Sequence, residues 1–223
     1  MSPPDRIARF SGPSRFAHWA NAVGVIVLIA TGAVLWGAPG TQWVGNRGLV
    51  RDVHLWVGLG VLVPLLATWI VSRSTRDDFR RLARWSPDDR RWWFRSQRRT
   101  TRLGKFNPGQ KANAAFTLAA LFALLVTGIM LKWPDAYSDD IRAGATAVHD
   151  WTALVLGLAV IGHIVMAVRD PVALRGMVNG QVDRQWAASR APRWYAEVVA
   201  AHPHGSERPT VPETDPQPAE VAR

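Results

Sequence analysis

The chain has 223 residues, enough for one or two domains, with a net charge of +10 and no cysteine. The lack of cysteine excludes disulfides, cysteine-ligated iron–sulfur clusters and the thioether attachment of c-type haem. The positive charge does not indicate nucleic-acid binding, because the arginines crowd beside apolar segments and no nucleic-acid-binding motif is present.

Four long apolar windows contain no Asp, Glu, Lys or Arg: Phe16 to Asn46, Val53 to Ser72, Ala112 to Leu131 and Trp151 to Val168. Crossing a bilayer takes about 20 apolar residues, and residues 143–148 extend the short fourth window upstream. We therefore predict an all-α membrane protein, a bundle of four transmembrane helices at about 17–37, 53–72, 112–132 and 146–168. The first window lacks the small-residue cleavage pattern of a signal peptide, so we expect it to be retained.

Short sequence motifs predict helix starts and a kink in and around these spans. Ser11-Gly12-Pro13-Ser14 predicts a helix start before the first span, and Pro64 predicts a kink within the second. In the long connector 73–111, Ser86-Pro87-Asp88-Asp89 predicts a helix start with Ser86 as N-cap. Aromatic residues among the arginines favour a helix on the membrane surface, with a solvated basic linker as the alternative; they are Trp85, Trp92, Trp93 and Phe94.

The end of the chain is predicted to lie outside the membrane. Asp170-Pro171 ends the fourth span, and residues 172 to about 194 are expected to form one helix along the cytoplasmic surface. Residues 201–223 are polar and proline-rich, which predicts a disordered tail after a membrane domain of residues 1–200.

Lysine and arginine are distributed unevenly between the connectors. The 73–111 connector carries 13, the N-terminal segment to residue 17 carries three and the tail from residue 169 carries seven. The connectors 38–53 and 132–148 carry two each. By the positive-inside rule, both termini and the long connector are predicted to be cytoplasmic.

Four histidines lie near the ends of the predicted spans, and their depth decides how they can pair. His149 and His163 are 14 residues apart. On one helix they therefore share a face to within roughly 40° and differ in height by about 21 Å. His54 opens the second span on the outer side and can meet His149, while His18 opens the first span on the cytoplasmic side and can meet His163. Two stacked bis-histidine haems would need this arrangement.

Each histidine also has an ordinary structural interpretation. His18 could be an interfacial residue, and His54 and His149, each close to an aspartate, could be helix-cap or loop residues. His163 is the hardest to explain in this way, because its neighbours in the span are apolar and an unpaired polar group among them is costly in a membrane. We interpret all four as ligands of haem iron.

A polar loop, Lys105-Phe106-Asn107-Pro108-Gly109-Gln110-Lys111, precedes the third span. One interpretation is structural, with Asn107 as N-cap, Pro108 at the first helical position and Gln110 as half of a capping box. The other is a polar pocket at the helix N-terminus, whose amide side chains and free backbone N–H groups hold a quinone carbonyl. The residues alone leave both interpretations open.

The chain resembles the cytochrome b (gamma) subunits of respiratory formate dehydrogenases over about residues 6 to 196. The resemblance rests on the four histidines in their contexts, on the polar loop and on a segment after the fourth span. The matching motifs are Arg15-Phe16-Ala17-His18-Trp19, Asp52-Val53-His54, Lys105 to Lys111, His149 and His163 at their spacing, Arg175-Gly176-Met177-Val178-Asn179-Gly180, Trp186 and Trp194-Tyr195. The segment after span four is the most specific, because cytochromes of nickel–iron hydrogenases share the four-span di-haem layout.

The resemblance implies a four-helix bundle that binds two b haems and carries additional helices on its cytoplasmic surface. The outer haem would be held by His54 and His149, and the inner haem by His18 and His163. This assignment agrees with the argument from depth.

The resemblance also implies a quinone site beside the inner haem, with menaquinone or ubiquinone as the acceptor. The positions carried over are Asn107, Gly109 and Gln110, with His163 adjacent. Pro108 stands where a small residue is more usual, so the quinone contacts are less firmly implied than the haem ligands.

By the same resemblance, formate is oxidised on a separate periplasmic molybdenum or tungsten subunit, and an iron–sulfur subunit passes electrons to the outer haem. The chain would be the quinone-reducing subunit of that complex in the bacterial inner membrane, with lipid around it and no catalytic residue of its own. The alternatives are the cytochrome b of a nickel–iron hydrogenase or another b-type electron-transfer protein and, from a different class, a haem-free membrane anchor.

Overall fold

The computed structural model describes residues 6–36, 45–94 and 101–201, so the predicted tail lies outside the described residues except for Ala201. Among these residues the chain is almost entirely helical, with one short pair of strands. In chain order the elements are β1 Arg6–Ala8, α1 Gly12–Trp36, α2 Arg47–Gly60, α3 Val63–Val71, α4 Arg73–Ala83, α5 Pro87–Arg91, α6 Pro108–Lys132, a 3-10 turn Pro134–Ala136, α7 Asp139–Val168, α8 Pro171–Asn179, β2 Gln181–Asp183, α9 Arg184–Arg190 and α10 Pro192–Ala201.

Four of these helical segments are long and apolar enough to cross a membrane. They are α1, the pair α2–α3 taken as one segment Arg47–Val71, α6 and α7. The predicted fold class, an all-α membrane protein with four spanning helices, is therefore confirmed. Each segment begins several residues before the apolar window, because polar residues at its N-terminus are already helical.

The second span is interrupted next to Pro64, where a kink was predicted. α2 ends at Gly60 and α3 begins at Val63, with Pro64 in its first turn. Proline has no N–H and clashes with the preceding turn, so backbone carbonyls at the break need other partners. Asn21 of α1 supplies one, because its side-chain nitrogen donates to the carbonyl oxygen of Val61 at 2.9 Å.

The centre of the bundle is an apolar cluster in which every spanning segment takes part. Its buried members are Val25, Val61, Ala120, Leu121 and Leu156. The long apolar faces on the outside remain exposed, which suits lipid rather than water as the neighbour.

The connector between the second and third spans folds into two helices. Ser72 caps α4, a helix that the sequence analysis did not predict. Ser86 caps α5 and forms a full capping box with Asp89, which confirms the predicted helix start. α5 has only five residues, and its contact with a membrane surface remains a prediction.

The segment after the fourth span is not the single helix predicted for residues 172–194. α8 ends at Asn179 and is capped by Gly180, which has a φ of 88°, in the left-handed region that favours glycine. β2 follows and pairs antiparallel with β1, so that Ile7 lies opposite Val182. Pro192 then separates α9 from α10. The prediction was wrong because this pairing joins residues far apart in the chain.

Candidate metal centre formed by two histidine pairs

The four histidines in the bundle meet as two pairs. His54 on α2 faces His149 on α7, with ring centroids 6.3 Å apart and ring planes at 62°. His18 on α1 faces His163 on α7, with centroids 6.2 Å apart and planes at 63°. α7 therefore contributes one imidazole to each pair, and the apolar cluster around Leu156 lies between the two levels.

The separation of the rings fits two axial ligands on one iron. An imidazole nitrogen binds a metal at about 2 Å and the ring centre lies roughly 1.1 Å behind it, so two axial imidazoles have centroids about 6.2 Å apart. Each pair thus has the span that a haem iron requires, and the donor set of two imidazoles is that of a b-type haem.

Each imidazole of the outer pair contacts a threonine hydroxyl from the preceding spanning helix. Thr31 Oγ1 lies 2.8 Å from His54 Nδ1, and Thr127 Oγ1 lies 2.9 Å from His149 Nδ1. A glycine follows each threonine. A Cβ built on Gly32 would lie 3.3 Å from Cε1 of His54, and a Cβ built on Gly128 would lie 3.4 Å from Cε1 of His149. The ring is therefore held at Nδ1 and packed closely at Cε1.

The inner pair is positioned through its neighbours instead. The ring of Trp19 packs edge-on against His18, with centroids 5.3 Å apart, and its Nε1 donates to the carbonyl of Met177 at 3.0 Å. Arg15, one turn earlier, donates to the carbonyl of Val178 at 2.6 Å. In the described part of the chain, no hydrogen bond from a protein group reaches the imidazole of either inner histidine.

The polar loop before the third span forms a complete capping box. Asn107 Oδ1 accepts from the backbone N–H of Gln110 at 2.9 Å, and Gln110 Oε1 accepts from the N–H of Asn107 at 3.0 Å. These bonds use the two side-chain oxygens, so the amide nitrogens are not part of the box. Pro108 is fully buried, and a Cβ at Gly109 would lie 3.6 Å from the ring of Trp92.

A buried ion pair fixes this loop to the connector. Lys111 Nζ lies 2.8 Å from Asp89 Oδ2 and donates to the carbonyl of Arg84 at 2.7 Å. Both charged side chains are almost fully buried. Burial raises the pKa of the Asp89 carboxyl, but hydrogen bonds from Lys111 and Ser86 outweigh burial and hold this pKa below its usual range.

A second cluster of charges joins the loop to the start of α1. Lys105 forms an ion pair with Asp78 of α4, and Ser14 Oγ donates to the same carboxylate at 3.2 Å. Burial lowers the pKa of Lys105, and the charge of Asp78 opposes that shift. Arg9 stacks over the ring of Trp186, 4.4 Å from its centroid, and burial lowers the pKa of Arg9 to about 10.

A polar cavity of about 430 Å³ opens beside this cluster. It is bounded by α4, the polar loop and α10, with Lys105, Phe106 and Lys111 on one side and Arg81 and Glu197 on another. It therefore lies beside the N-terminus of α6, next to the polar loop.

The two threonines of the outer pair were missed by sequence analysis. A threonine in an apolar span is unremarkable by composition, because its hydroxyl can bond to its own helix. The signal that could have found them is the dipeptide Thr-Gly, which occurs twice in the chain, at 31–32 and at 127–128.

Several known proteins are similar to this chain over most of its length. The chain is 28% identical over 209 residues to a protein of Escherichia coli strain K12 named formate dehydrogenase, cytochrome b556(fdo) subunit, covering 89% of this chain and 96% of the relative. The nitrate-inducible cytochrome b556(Fdn) subunit of the same strain is 24% identical over 90% of this chain and 95% of its own. The formate dehydrogenase cytochrome b556 subunit of Haemophilus influenzae is 27% identical, over 89% of this chain and 86% of its own.

A family model described as prokaryotic cytochrome b561 matches residues 9–180. That match covers every described spanning helix and all four paired histidines. The chain therefore belongs to the prokaryotic cytochrome b561 family, and it is a multi-pass membrane cytochrome.

Proposed function

We propose that the chain is the di-haem cytochrome b subunit of a membrane-bound formate dehydrogenase, carrying electrons across the membrane to a quinone. The observation that carries this proposal is the pair of ring separations, 6.2 Å and 6.3 Å, each suited to one bis-imidazole iron. The names of the relatives indicate the complex to which such a cytochrome would belong.

In this proposal His54 and His149 hold the outer haem, and His18 and His163 hold the inner one. A haem held by two imidazoles changes its iron between the ferric and ferrous states by one electron. Arg15 is the residue we assign to a propionate of the inner haem. It lies one turn before His18, and its buried Nε has no hydrogen-bond partner among the described residues.

The quinone would bind at the polar loop, through Asn107, Gly109 and Gln110. The side-chain oxygens of Asn107 and Gln110 hold the loop in shape, and their amide nitrogens are the groups that would donate to a quinone carbonyl. Menaquinone and ubiquinone both present such carbonyls. A loop held by two buried ion pairs presents its donors without rearranging first.

The proposed direction of electron flow is from the periplasmic side to the cytoplasmic side. By the positive-inside rule, the arginine-rich connector, both termini and the polar loop would lie on the cytoplasmic side. A periplasmic iron–sulfur subunit would then donate to the outer haem, and a molybdenum or tungsten subunit would oxidise formate. Quinone reduction at the loop would take protons from the cytoplasm.

The first experiment is a dithionite-reduced minus oxidised spectrum of the purified complex, with a pyridine haemochrome count per chain. Two b haems are expected. The His163→Ala variant should lose the inner haem and quinol formation but retain formate oxidation with an artificial acceptor. Wild-type protein that is folded but free of haem would contradict the proposal and favour an anchor.

The electron donor is tested separately, by reducing the haems in membranes with formate and with hydrogen. Reduction by formate alone is expected. Reduction by hydrogen alone would instead indicate the cytochrome of a nickel–iron hydrogenase. Asn107→Ala and Gln110→Ala should then slow haem reoxidation by quinone while leaving reduction by formate unchanged.

A further inference from the structure

We infer that Thr31 and Thr127 are positioning residues for the outer haem, and that their hydroxyls keep its reduction potential low. The inference rests on the proposed function, because it takes His54 and His149 as ligands of the outer iron. It assigns a role to two threonines whose hydroxyls contact Nδ1 of these histidines, the ring nitrogen that would not bind iron.

The direction of the hydrogen bonds follows from the chemistry of a ligated imidazole. A histidine that binds iron through Nε2 carries its proton on Nδ1, so Nδ1 must donate. Thr31 Oγ1, at 2.8 Å from His54 Nδ1, must then accept. Its own proton is already directed into the helix, because the hydroxyl donates to the carbonyl oxygen of Val27 at 2.7 Å.

The same relay is repeated at the other ligand. Thr127 Oγ1 lies 2.9 Å from His149 Nδ1 and donates to the carbonyl oxygen of Ala123 at 2.8 Å. In each case the threonine proton is directed to its own helix backbone, and the hydroxyl oxygen is left to accept from the imidazole. Two independent helices thus present the same acceptor to two different histidines.

An acceptor at Nδ1 makes the imidazole a stronger base towards the metal. A more basic axial ligand stabilises ferric over ferrous iron, which lowers the reduction potential. The inner pair, among the described residues, has no such protein acceptor at either ring. The threonine hydroxyls therefore make the reduction potential of the outer haem lower than that of the inner haem. This difference favours electron transfer from the outer haem to the inner one.

The chain provides a matched control in Thr68. Its hydroxyl donates to the carbonyls of Pro64 and Leu65 at 2.8 and 3.1 Å, as Thr31 and Thr127 donate within their own helices. It lies in a spanning helix and is buried. No hydrogen bond to a histidine is present at Thr68, so Thr68→Val removes the same intrahelical bonds without touching a haem ligand.

The test is a potentiometric titration of both haems in the purified complex. It compares wild type with Thr31→Val, Thr127→Val, the two serine variants at these positions, and Thr68→Val. The His163→Ala variant identifies which component belongs to the outer haem. The valine variants should shift the outer potential upward and change its low-spin electron paramagnetic resonance signal, while the inner component stays fixed.

The serine variants should keep the wild-type outer potential, because they keep the hydroxyl, and Thr68→Val should change neither haem. Loss of the outer haem alone in the valine variants, with retention in the serine variants, would equally support a positioning role. Two haems with unchanged potentials in Thr31→Val and Thr127→Val would overturn the inference and leave the proposed function intact. Loss of both haems together in these variants would also overturn it, since the threonines would then serve general folding.

Discussion

The indole nitrogen of Trp19 donates a hydrogen bond to the carbonyl oxygen of Met177 at 3.0 Å, although the two residues are 158 positions apart in the chain. Trp19 adjoins His18, and Met177 lies on α8, directly after the helix that carries His163. The bond therefore ties together the two chain segments that supply the inner pair. It gives a structural role to the segment after the fourth span.

Replacing Trp19 by phenylalanine should weaken binding of the inner haem. The ring contact with His18 is partly kept, but the hydrogen bond to α8 is lost, at a cost of about 1 kcal/mol. The haemochrome count and the reduced spectrum should show a loss confined to the inner component. Trp151→Phe is the control, because this tryptophan within α7 is exposed. Equal loss of both haems would contradict the prediction.

Replacing Gly32 by alanine should disturb the outer haem only. The new methyl group would lie 3.3 Å from Cε1 of His54, closer than an ordinary contact, so the ring must move by a few tenths of an ångström to accommodate it. We expect a reduced content or a shifted spectrum of the outer haem, measured by difference spectroscopy. Gly144→Ala on α7 is the control, because a Cβ there meets no atom within 4 Å. The prediction fails if the two variants behave alike.

The Asp89–Lys111 pair should make stability depend on pH. The folded state holds the pKa of Asp89 below its unfolded value of about 4, so this contribution is present above pH 4 and is lost as the pH falls through the folded pKa. Asp89→Asn should destabilise the protein by about 3 kcal/mol at neutral pH, because it leaves the charge of Lys111 buried without its partner.

Thermal unfolding of the detergent-solubilised protein, followed by circular dichroism between pH 3 and 7, measures this effect. Asp89→Asn should reduce the fall in unfolding temperature that the wild type shows at acidic pH. Adding Lys111→Met to this variant should recover part of the stability. Asp88→Asn, at the more exposed neighbouring carboxylate, should change little. An unchanged fall at acidic pH in Asp89→Asn would show that other carboxylates cause it.

Replacing Gly180 by alanine should loosen the contact between the two ends of the described chain. Its φ of 88° costs an alanine about 1–2 kcal/mol, and the added Cβ would lie 2.8 Å from the carbonyl oxygen of Phe10. We expect a lower unfolding temperature and faster proteolysis near residue 10. Gly12→Ala is the control, since nothing lies within 4 Å there. Equal proteolysis rates for both variants would contradict this account.

The spanning helices and the depth of the histidines could be predicted because both depend on local spacing. The rise per residue of a helix converts the 14-residue spacing of His149 and His163 into a distance along the helix axis, and the apolar windows predict the helices. The capping residues Ser86 and Asn107 were predicted for the same reason, because a cap involves only its own turn.

The remaining features depend on contacts between distant residues. β2 forms because β1 lies beside it, and no pattern within residues 172–194 encodes that partner. The threonine relays likewise join residues of different helices, and a hydroxyl in an apolar segment carries no periodic signal. α4 was missed because it is short and mostly charged, and because its cap, Ser72, belongs to the preceding apolar window.

The apolar cluster of Val25, Val61, Ala120, Leu121 and Leu156 lies at mid-depth, between the two histidine pairs. It contains no group that can bind or release a proton, so in the proposed function it conducts electrons by tunnelling and insulates against proton leakage. An electron that crosses it inward also moves against the membrane potential, which opposes the full crossing by about 2.3 kcal/mol per 100 mV. The cluster is thus the dielectric across which the cytochrome would store redox energy as voltage.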